Sequence, residues 1–306
     1  MDLPPSGLEI LVPGSIANLG PGFDTLAVAV QLYLRLSVTV GRGTNELRFE
    51  FPDCEIDGEN YIERAFRFVA GQRGVGFPSL RVEVRSEIPM RSGLGSSAAA
   101  TVAGLRLYEA VAGPLPAQGL LNAACALEGH PDNVAAALLG GLTVSCQLSD
   151  RSAFAVKLRW PESLGFVVLT PRFPLATSAS RGALPEDVSR EDAVFNLQRV
   201  ALLLQSLQSG NYSVLREALQ DRIHQPFRQK LVPGLEQALC LEHPDLLGVC
   251  LSGAGPSIVA LAERNFDGIE TLLSNAFLPT GLPFTIRRLA AHQDLAAAIL
   301  PSSHSS

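Results

Sequence analysis

The sequence predicts an α+β protein of two domains, and three observations carry that reading. Strand-like and helix-like segments follow one another without a regular strand–helix–strand rhythm, which argues against a doubly wound parallel sheet. Near residue 160 the pattern shifts, with strands prominent before it and long helices after it. The chain has 306 residues, 47% apolar and 18% charged, enough for two ordinary cores and unlike a disordered chain. The expected domains are therefore 1–160 and 161–306, with no low-complexity linker between them.

In chain order, Leu8 to Val12 reads as a short strand delivering the loop Asn18–Asp24. Asn18-Leu19-Gly20-Pro21-Gly22 is turn chemistry, and Asn18 and Asp24 are residue types that stabilise loops through their own backbone bonds. Phe23 to Val40 is an apolar run with alternating stretches, one or two strands, and Leu47 to Phe51 is a third. Ile62, Ala65, Phe66 and Val69 recur at helical spacing within 60–69. Arg81 to Ile88 is a strand. Leu115 to Leu127 is a helix opened by Pro116. Leu142 to Leu148, Ala155 to Trp160 and Phe166 to Leu169 are further strands. Beyond them, Asp192 to Gln208 reads as a helix with Val194, Leu197, Val200, Leu203 and Leu204 on its apolar face, and Tyr212 to Ile223 as another. Gly248 to Ser252 and Ile258 to Leu261 pair around a Ser252-Gly253-Ala254-Gly255 turn. Phe284 to Leu289 is the last strand, and Pro301 to Ser306 is expected to fray.

Two polar concentrations stand out from this apolar background. Pro89-Met90-Arg91-Ser92-Gly93-Leu94-Gly95-Ser96-Ser97-Ala98-Ala99 joins a strand to a small, apolar helix. Its glycines let a backbone approach a phosphate, and free N–H groups at the helix start point toward an anion. Ser96 and Ser97 could cap the helix, or reach a Mg2+ bound to phosphate. Neither of two commoner phosphate motifs is present, G-x-x-x-x-G-K-[ST] or G-x-G-x-x-G with a distant acid. The second concentration is Glu128-Gly129-His130-Pro131-Asp132-Asn133, between two buried segments. There Gly129 could end one helix and Asp132 could cap the next.

Composition bounds the partners. A net charge of −6 without a Lys/Arg stripe argues against nucleic acid. Cys54, Cys125, Cys146, Cys240 and Cys250 are scattered without C-x-x-C spacing, so reduced, buried thiols are expected rather than a metal cluster. Met1-Asp2-Leu3-Pro4-Pro5 lacks the basic start and apolar core of a signal peptide, and Ala110 to Leu127 is too interrupted to span a membrane. The expectation is a cytoplasmic protein.

The whole phosphate-loop string resembles P-x-x-x-G-L-G-S-S-A-A of the GHMP kinases. Pro13-Gly14-Ser15-Ile16-Ala17-Asn18-Leu19-Gly20-Pro21-Gly22-Phe23-Asp24 resembles that family's first motif in its homoserine kinase form, and Leu251-Ser252-Gly253-Ala254-Gly255-Pro256-Ser257 resembles its third. Residues 128–133 resemble the E-G-H-P-D-N segment of the same branch. Ala176 to Pro185 is similar to S-T-K-x-A-R-x-x-L-P, and Asp221 to Arg228 to D-x-x-H-x-P-[YF]-R.

The resemblance implies a ribosomal protein S5 domain 2-like first domain, a ferredoxin-like second domain and an active site between them. It implies phosphate transfer from ATP to the side-chain hydroxyl of L-homoserine in threonine biosynthesis, by a homodimer. ATP would lie on residues 89–99 with Gly253 and Gly255, and Mg2+ on Ser97 and Glu128. Asn18, Asp24, His130, Asn133, Thr177, Arg181 and Arg228 would meet the substrate, with Glu128, His130 and Asn133 in the catalytic group. Asn133 stands where mevalonate kinase-like members carry an aspartate, and an amide takes no proton at neutral pH. The departures are Gly14, Ser15 and Ile16 for Ala, Thr and Ser, and Ser178 and Ser180 for Lys and Ala. Another GHMP small-molecule kinase, or a silent sensor on the same fold, are the alternatives; the intact Ser97/Glu128 pair argues against the sensor.

Overall fold

The computed structural model describes residues 7–53, 58–173 and 175–299; Met1–Pro5, Cys54 and Pro301–Ser306 lie outside them. Its strands form two sheets. The first contains β1 (Leu8–Ala17), β2 (Leu26–Thr44), β3 (Leu47–Glu50), β4 (Pro78–Ser86), β5 (Leu142–Gln147) and β6 (Ala153–Leu158). β7 (Gly165–Pro171), β8 (Gly248–Leu251), β9 (Ile258–Ala262) and β10 (Phe284–Leu289) form the second, in the order β10-β7-β9-β8. A last strand, β11 (Ala297–Ile299), crosses back to pair antiparallel with β1. The sheets thus divide between Leu158 and Gly165, but the end of the chain returns to the first one.

The apolar run after Phe23 is one strand of 19 residues. Leu26 to Val30 are all buried; from Gln31 onward the side chains alternate in and out, as one solvated sheet face requires. Over the buried face lie α1 (Tyr61–Arg73), α2 (Ser96–Ala112), α3 (Ala117–Glu128) and α4 (Asp132–Leu139). α1 buries the expected Ile62, Ala65, Phe66 and Val69, and Asn60 caps it through its side chain. α2 crosses α1 closely at Gly104, where a Cβ would come within 2.2 Å of the Ile62 carbonyl oxygen.

The remaining helices are α5 (Thr177–Gly182), α6 (Arg190–Ser209), α7 (Leu215–Ala218), α8 (Gln225–Arg228), α9 (Leu235–Leu239) and α10 (Phe266–Phe277). The second sheet is buried on both faces. Val167, Leu169, Ile258 and Ala260 pack with Leu235, Ile269, Leu273 and Phe277 of α9 and α10. Phe166, Val168, Val259 and Leu261, one residue out of phase, join the larger core with Leu203 and Leu207 of α6.

Several expectations are corrected. The helix foreseen over 212–223 is a 3-10 turn followed by α7, and it stops because the Leu219 carbonyl abuts Gly20 while the Asp221 side chain takes the N–H groups of residues 223–225. On α6 the inward residues are Asn196, Leu203, Ser206 and Leu207, while Val194 and Leu197 are exposed. The inward stripe carries an asparagine and a serine, which is why apolar periodicity misplaced it. α5, α8, α9, α10 and β11 were not anticipated. Cys125 and Cys250 are buried, and burial pushes the Cys250 thiol up to about 12, but Cys146 and Cys240 are exposed. No described helix is long and apolar enough to cross a membrane.

Candidate active site

Three separate segments meet at the N-terminus of α2. Gly95 precedes the helix in a left-handed conformation (φ 74°), and no side chain caps it. Neither Ser96 nor Ser97 is the expected cap, because the helix already begins at Ser96, behind Gly95, and the Ser97 hydroxyl donates to Glu128. Those groups are left for an anion, at the positive end of a 17-residue helix. A Cβ on Gly95 would lie 2.2 Å from Ser15 Oγ, and one on Gly93 2.3 Å from the Ser252 carbonyl oxygen, so both glycines permit close approach of the other motifs.

The first motif is bonded to this loop through Ser15 N to the Leu94 carbonyl at 3.0 Å. Gly14, a departure from the family's alanine, sits where a Cβ would meet that same carbonyl at 2.9 Å. The third motif closes the other side. Ser252 Oγ donates to the Gly93 carbonyl at 2.7 Å, Ser257 N to the Ser92 carbonyl at 3.0 Å, and Gly253 N to the Ala17 carbonyl at 3.1 Å. Within the phosphate loop, Ser92 Oγ donates to the Pro89 carbonyl, Leu94 is buried, and Met90 stands exposed. Ala98 and Ala99 anchor the helix start in the core.

The Glu128–Asn133 segment lies beside this cradle. Gly129 ends α3 in the left-handed conformation expected of it. Glu128 accepts Ser97 Oγ at 2.7 Å on one oxygen and Thr101 Oγ at 2.8 Å on the other. Thr101 was missed, although it follows Ser97 by one helical turn. A serine hydroxyl and a carboxylate oxygen at the free end of a helix are hard oxygen donors of the kind Mg2+ takes beside phosphate, so this pair fits the ion. Asp132 is not the cap of α4 but its first residue, with Oδ1 accepting Asn133 N and facing His130 Nδ1 at 2.7 Å. Burial alone would depress the His130 pKa, but the bond to Asp132 and its charge outweigh that and hold the imidazole above its ordinary value. Ser15 Oγ donates to Asn133 Oδ1 at 2.7 Å, which fixes the amide so that its NH2 faces Asp132 Oδ1 at 3.4 Å and keeps a second hydrogen to donate.

Facing this segment is a group of charges from both halves of the chain. Asp24, in a left-handed backbone (φ 51°), receives Arg181 in a two-bond fork, Nη2 to Oδ1 at 2.7 Å and Nη1 to Oδ2 at 3.0 Å. Ligand atoms of Asp24, His130 and Asp132 all lie within 4.8 Å of one another. Thr177 is exposed one turn before Arg181 on α5. Arg228 is 1% exposed; Nε bonds the Ser180 carbonyl and Nη1 the Gly253 carbonyl and His224 Nδ1, leaving Nη2. Its pKa is lowered to about 10 by burial first and by the Arg181 charge next. Asn18, 2% exposed, spends both ends of its amide on internal bonds, to Asp24 N and to the Gly253 carbonyl. Ser180, the other departure, is buried and donates to the Ala254 carbonyl at 2.7 Å, tying α5 to the third motif.

Residues 60–141 match the family model "GHMP kinases N terminal domain". Over 289 residues, 90% of this chain and 92% of that one, the sequence is 40% identical to the homoserine kinase of Solibacter usitatus. It is 42% identical over 268 residues to that of Deinococcus radiodurans, covering 86% and 87% of the two chains. The chain belongs to the homoserine kinase family of GHMP kinases. Solved structures agree on the fold. The homoserine kinase of Cytophaga hutchinsonii superposes with a TM-score of 0.82 at 24% identity, covering 96% of this chain and 98% of that one. Mevalonate kinase of L. major, in complex with R-mevalonate, gives 0.71 at 17% identity, covering 97% and 100%. As a homoserine kinase family member, the chain has the two-sheet α+β architecture its motifs implied.

Proposed function

We propose that this protein transfers the γ-phosphate of ATP to the side-chain hydroxyl of L-homoserine, giving O-phospho-L-homoserine for threonine biosynthesis. The observation that carries the reading is the charge group beside the Glu128–Asn133 segment: Asp24, bonded to Arg181, with the buried Arg228 near enough to feel both charges. A zwitterion needs opposite charges on its two sides. Asp24 takes the ammonium, while Arg181 and Nη2 of Arg228 take the carboxylate. Among the described residues Arg228 bonds no carboxylate directly, so its remaining Nη2 suits an incoming anion. Neither mevalonate, which has no ammonium, nor a sugar would use the whole set.

The residues divide the work as follows. The N–H groups of Ser96, Ser97 and Ala98, with the backbone of residues 89–95, hold the phosphates of ATP, and the Gly253–Gly255 turn closes over them. Ser97 and Glu128 hold Mg2+, and bound there the ion neutralises charge on the phosphates. Thr101 fixes the Glu128 carboxylate. Thr177 adds a hydroxyl toward the substrate on the Arg181 side. Asn133, oriented by Ser15, donates to the substrate oxygen, and His130 steers it from the Asp132 side. As the oxygen forms its bond to γ-phosphorus, the bond from phosphorus to the ADP oxygen breaks and the hydroxyl proton passes to an oxygen of the transferred phosphoryl group. Phosphoryl transfer of this kind depends mainly on positioning and charge stabilisation, so no strong side-chain base is required. Asn18 acts one step back, by holding Asp24.

The same reading places the domain boundary at residues 160/161 and the protein in the cytoplasm, as a homodimer without nucleic-acid or membrane partners. The dimer rests on the resemblance and on Val194 and Leu197, apolar and exposed on the outer face of α6. A particle mass of one chain in light scattering would remove it. The test of the activity is ADP release with homoserine as acceptor.

A further inference from the structure

Behind the charge group lies a buried polar network whose residues are not among the proposed substrate contacts. The Asp221 side chain is fully buried. Its Oδ1 accepts Asn196 Nδ2 at 2.7 Å and Ile223 N at 3.0 Å, and its Oδ2 accepts His224 N at 2.9 Å and Gln225 N at 2.6 Å. Asn196, 3% exposed, uses its second amide hydrogen on the Pro21 carbonyl at 3.1 Å and its oxygen on Arg222 N at 2.9 Å. His224, 0% exposed, sits between Arg228 Nη1 at 3.1 Å and the Gly20 carbonyl at 2.7 Å. An arginine can only donate, so Nδ1 of this ring must accept and Nε2–H must donate to Gly20. The arrangement requires one neutral tautomer, consistent with burial depressing the His224 pKa.

Every outward bond of the network ends in one of two places. Asn196 and His224 grip the carbonyls of Pro21 and Gly20, three and four residues before Asp24. His224 also grips Arg228, and Asp221 caps the turn from which Arg228 projects. Phe23 completes the link: its ring stacks on His224 at 5.4 Å, and Arg228 and Arg181 lie over it at 5.2 and 5.7 Å. Gly20 is pressed so close to the Leu219 carbonyl that a Cβ would lie 2.1 Å away. Burying a carboxylate, an amide and an imidazole together is a costly way to gain stability, since apolar packing of equal volume is usually as good. Polar groups held this way do fix geometry to one arrangement.

We propose that Asn196, Asp221 and His224 are positioning residues, a clamp that sets the span between the ammonium-reading loop at Asp24 and the carboxylate-reading Arg228 and so determines which amino alcohols the site accepts. The inference rests on the homoserine reading of that site. It predicts that damage to the clamp loosens the amino-acid end while leaving ATP binding at the phosphate loop nearly unaltered.

The experiment compares wild type with His224→Phe, His224→Gln and Asn196→Ala, measuring kcat and KM for homoserine and for ATP, and relative turnover of 3-aminopropanol, which lacks the carboxylate. Phenylalanine keeps the ring stacked on Phe23 and removes both bonds; glutamine offers one donor and one acceptor. His224→Phe and Asn196→Ala should raise the homoserine KM about tenfold or more, from one or two lost hydrogen bonds to charged or buried partners, with the ATP KM within about twofold of wild type. Discrimination against 3-aminopropanol should fall in both and be largely restored in His224→Gln. KM values for homoserine and ATP that rise together, or discrimination that stays at the wild-type level, would overturn the clamp. If His224→Phe does not fold, Asn196→Ser and calorimetric binding of homoserine carry the same comparison; unchanged affinity there also overturns it. Absence of homoserine turnover in wild type would instead sink the proposed function.

Discussion

Arg181 and Asp24, 157 residues apart in sequence, face each other through a two-bond fork of 2.7 and 3.0 Å. The two groups assigned to opposite ends of a zwitterion therefore satisfy each other when no substrate lies between them. On the proposed assignment, homoserine replaces that pair with its own two charges. Binding is an exchange, so its affinity is the difference between two similar sets of bonds, and the site is not left with bare charges while it waits.

Arg181→Met tests the exchange from one side. It removes a carboxylate contact worth roughly 1.5–3 kcal/mol, about ten- to a hundred-fold in binding, and leaves Asp24 unpaired. The homoserine KM should rise by that order while the ATP KM barely moves. Wild type should discriminate strongly between homoserine and 3-aminopropanol, and Arg181→Met should not. Equal discrimination by both proteins would show that another residue reads the carboxylate.

For the metal pair, Glu128→Gln keeps an acceptor for Ser97 or Thr101 but loses the charge. Turnover should fall by about a hundredfold or more, as for loss of a group that stabilises transition-state charge, and the Mg2+ requirement should shift upward. The melting temperature should stay within a few degrees. Thr101→Val, which frees one carboxylate oxygen without altering charge, should lower turnover far less. A Glu128→Gln enzyme with normal kinetics, or one that unfolds, would leave this residue a structural tie between α2 and α3 rather than a metal ligand.

At the phosphate loop, Gly95→Ala places a methyl where Ser15 Oγ already sits, 2.2 Å away, on a backbone with φ of 74°. Both penalties fall on the turn that frees the α2 N-terminus. ATP titration should show a KM at least about tenfold higher, a loss on the scale of one charge-assisted hydrogen bond, with less effect on the homoserine KM. An unchanged ATP KM would mean the phosphates bind elsewhere.

How much of this was legible in the sequence depends on what kind of residue did the work. The strand–glycine–helix string, the Glu128–Asn133 segment and the Gly253–Gly255 turn could be located because local backbone chemistry needs particular residues in a row. What was lost is what forms only across the fold. Asn196 went unnoticed because a buried asparagine interrupts apolar periodicity, and its partners Pro21 and Asp221 are 175 and 25 residues away. Thr101 and Ser15 are ordinary hydroxyls until Glu128 and Asn133 are brought to them. α10 buries Ile269, Leu273 and Phe277 at helical spacing, a legible pattern that went unread. The paired strands β8 and β9, by contrast, declared themselves as apolar runs about a glycine turn.

Stability against pH should carry opposite slopes from two histidines. His130 is raised above the ordinary 6.5, so the folded state holds its proton more tightly; that contribution is full below 6.5 and is lost as pH rises through the raised value. His224 is lowered, so the unfolded chain takes up a proton first, and stability falls as pH drops below 6.5 toward the lowered value. Urea midpoints measured from pH 5 to 8.5 should lose part of their decline above 6.5 in His130→Gln and part of their rise below 6.5 in His224→Gln. Identical pH profiles in the three proteins would contradict both assignments.

The account stands most directly on acceptor choice. A coupled ADP-release assay should offer homoserine, mevalonate, galactose and shikimate at equal concentration with saturating ATP and Mg2+. The charge group at Asp24, Arg181 and Arg228 predicts turnover with homoserine and little above background with the other three. Turnover of mevalonate or galactose with none of homoserine would contradict it, while leaving the two-sheet fold and its phosphate loop as described.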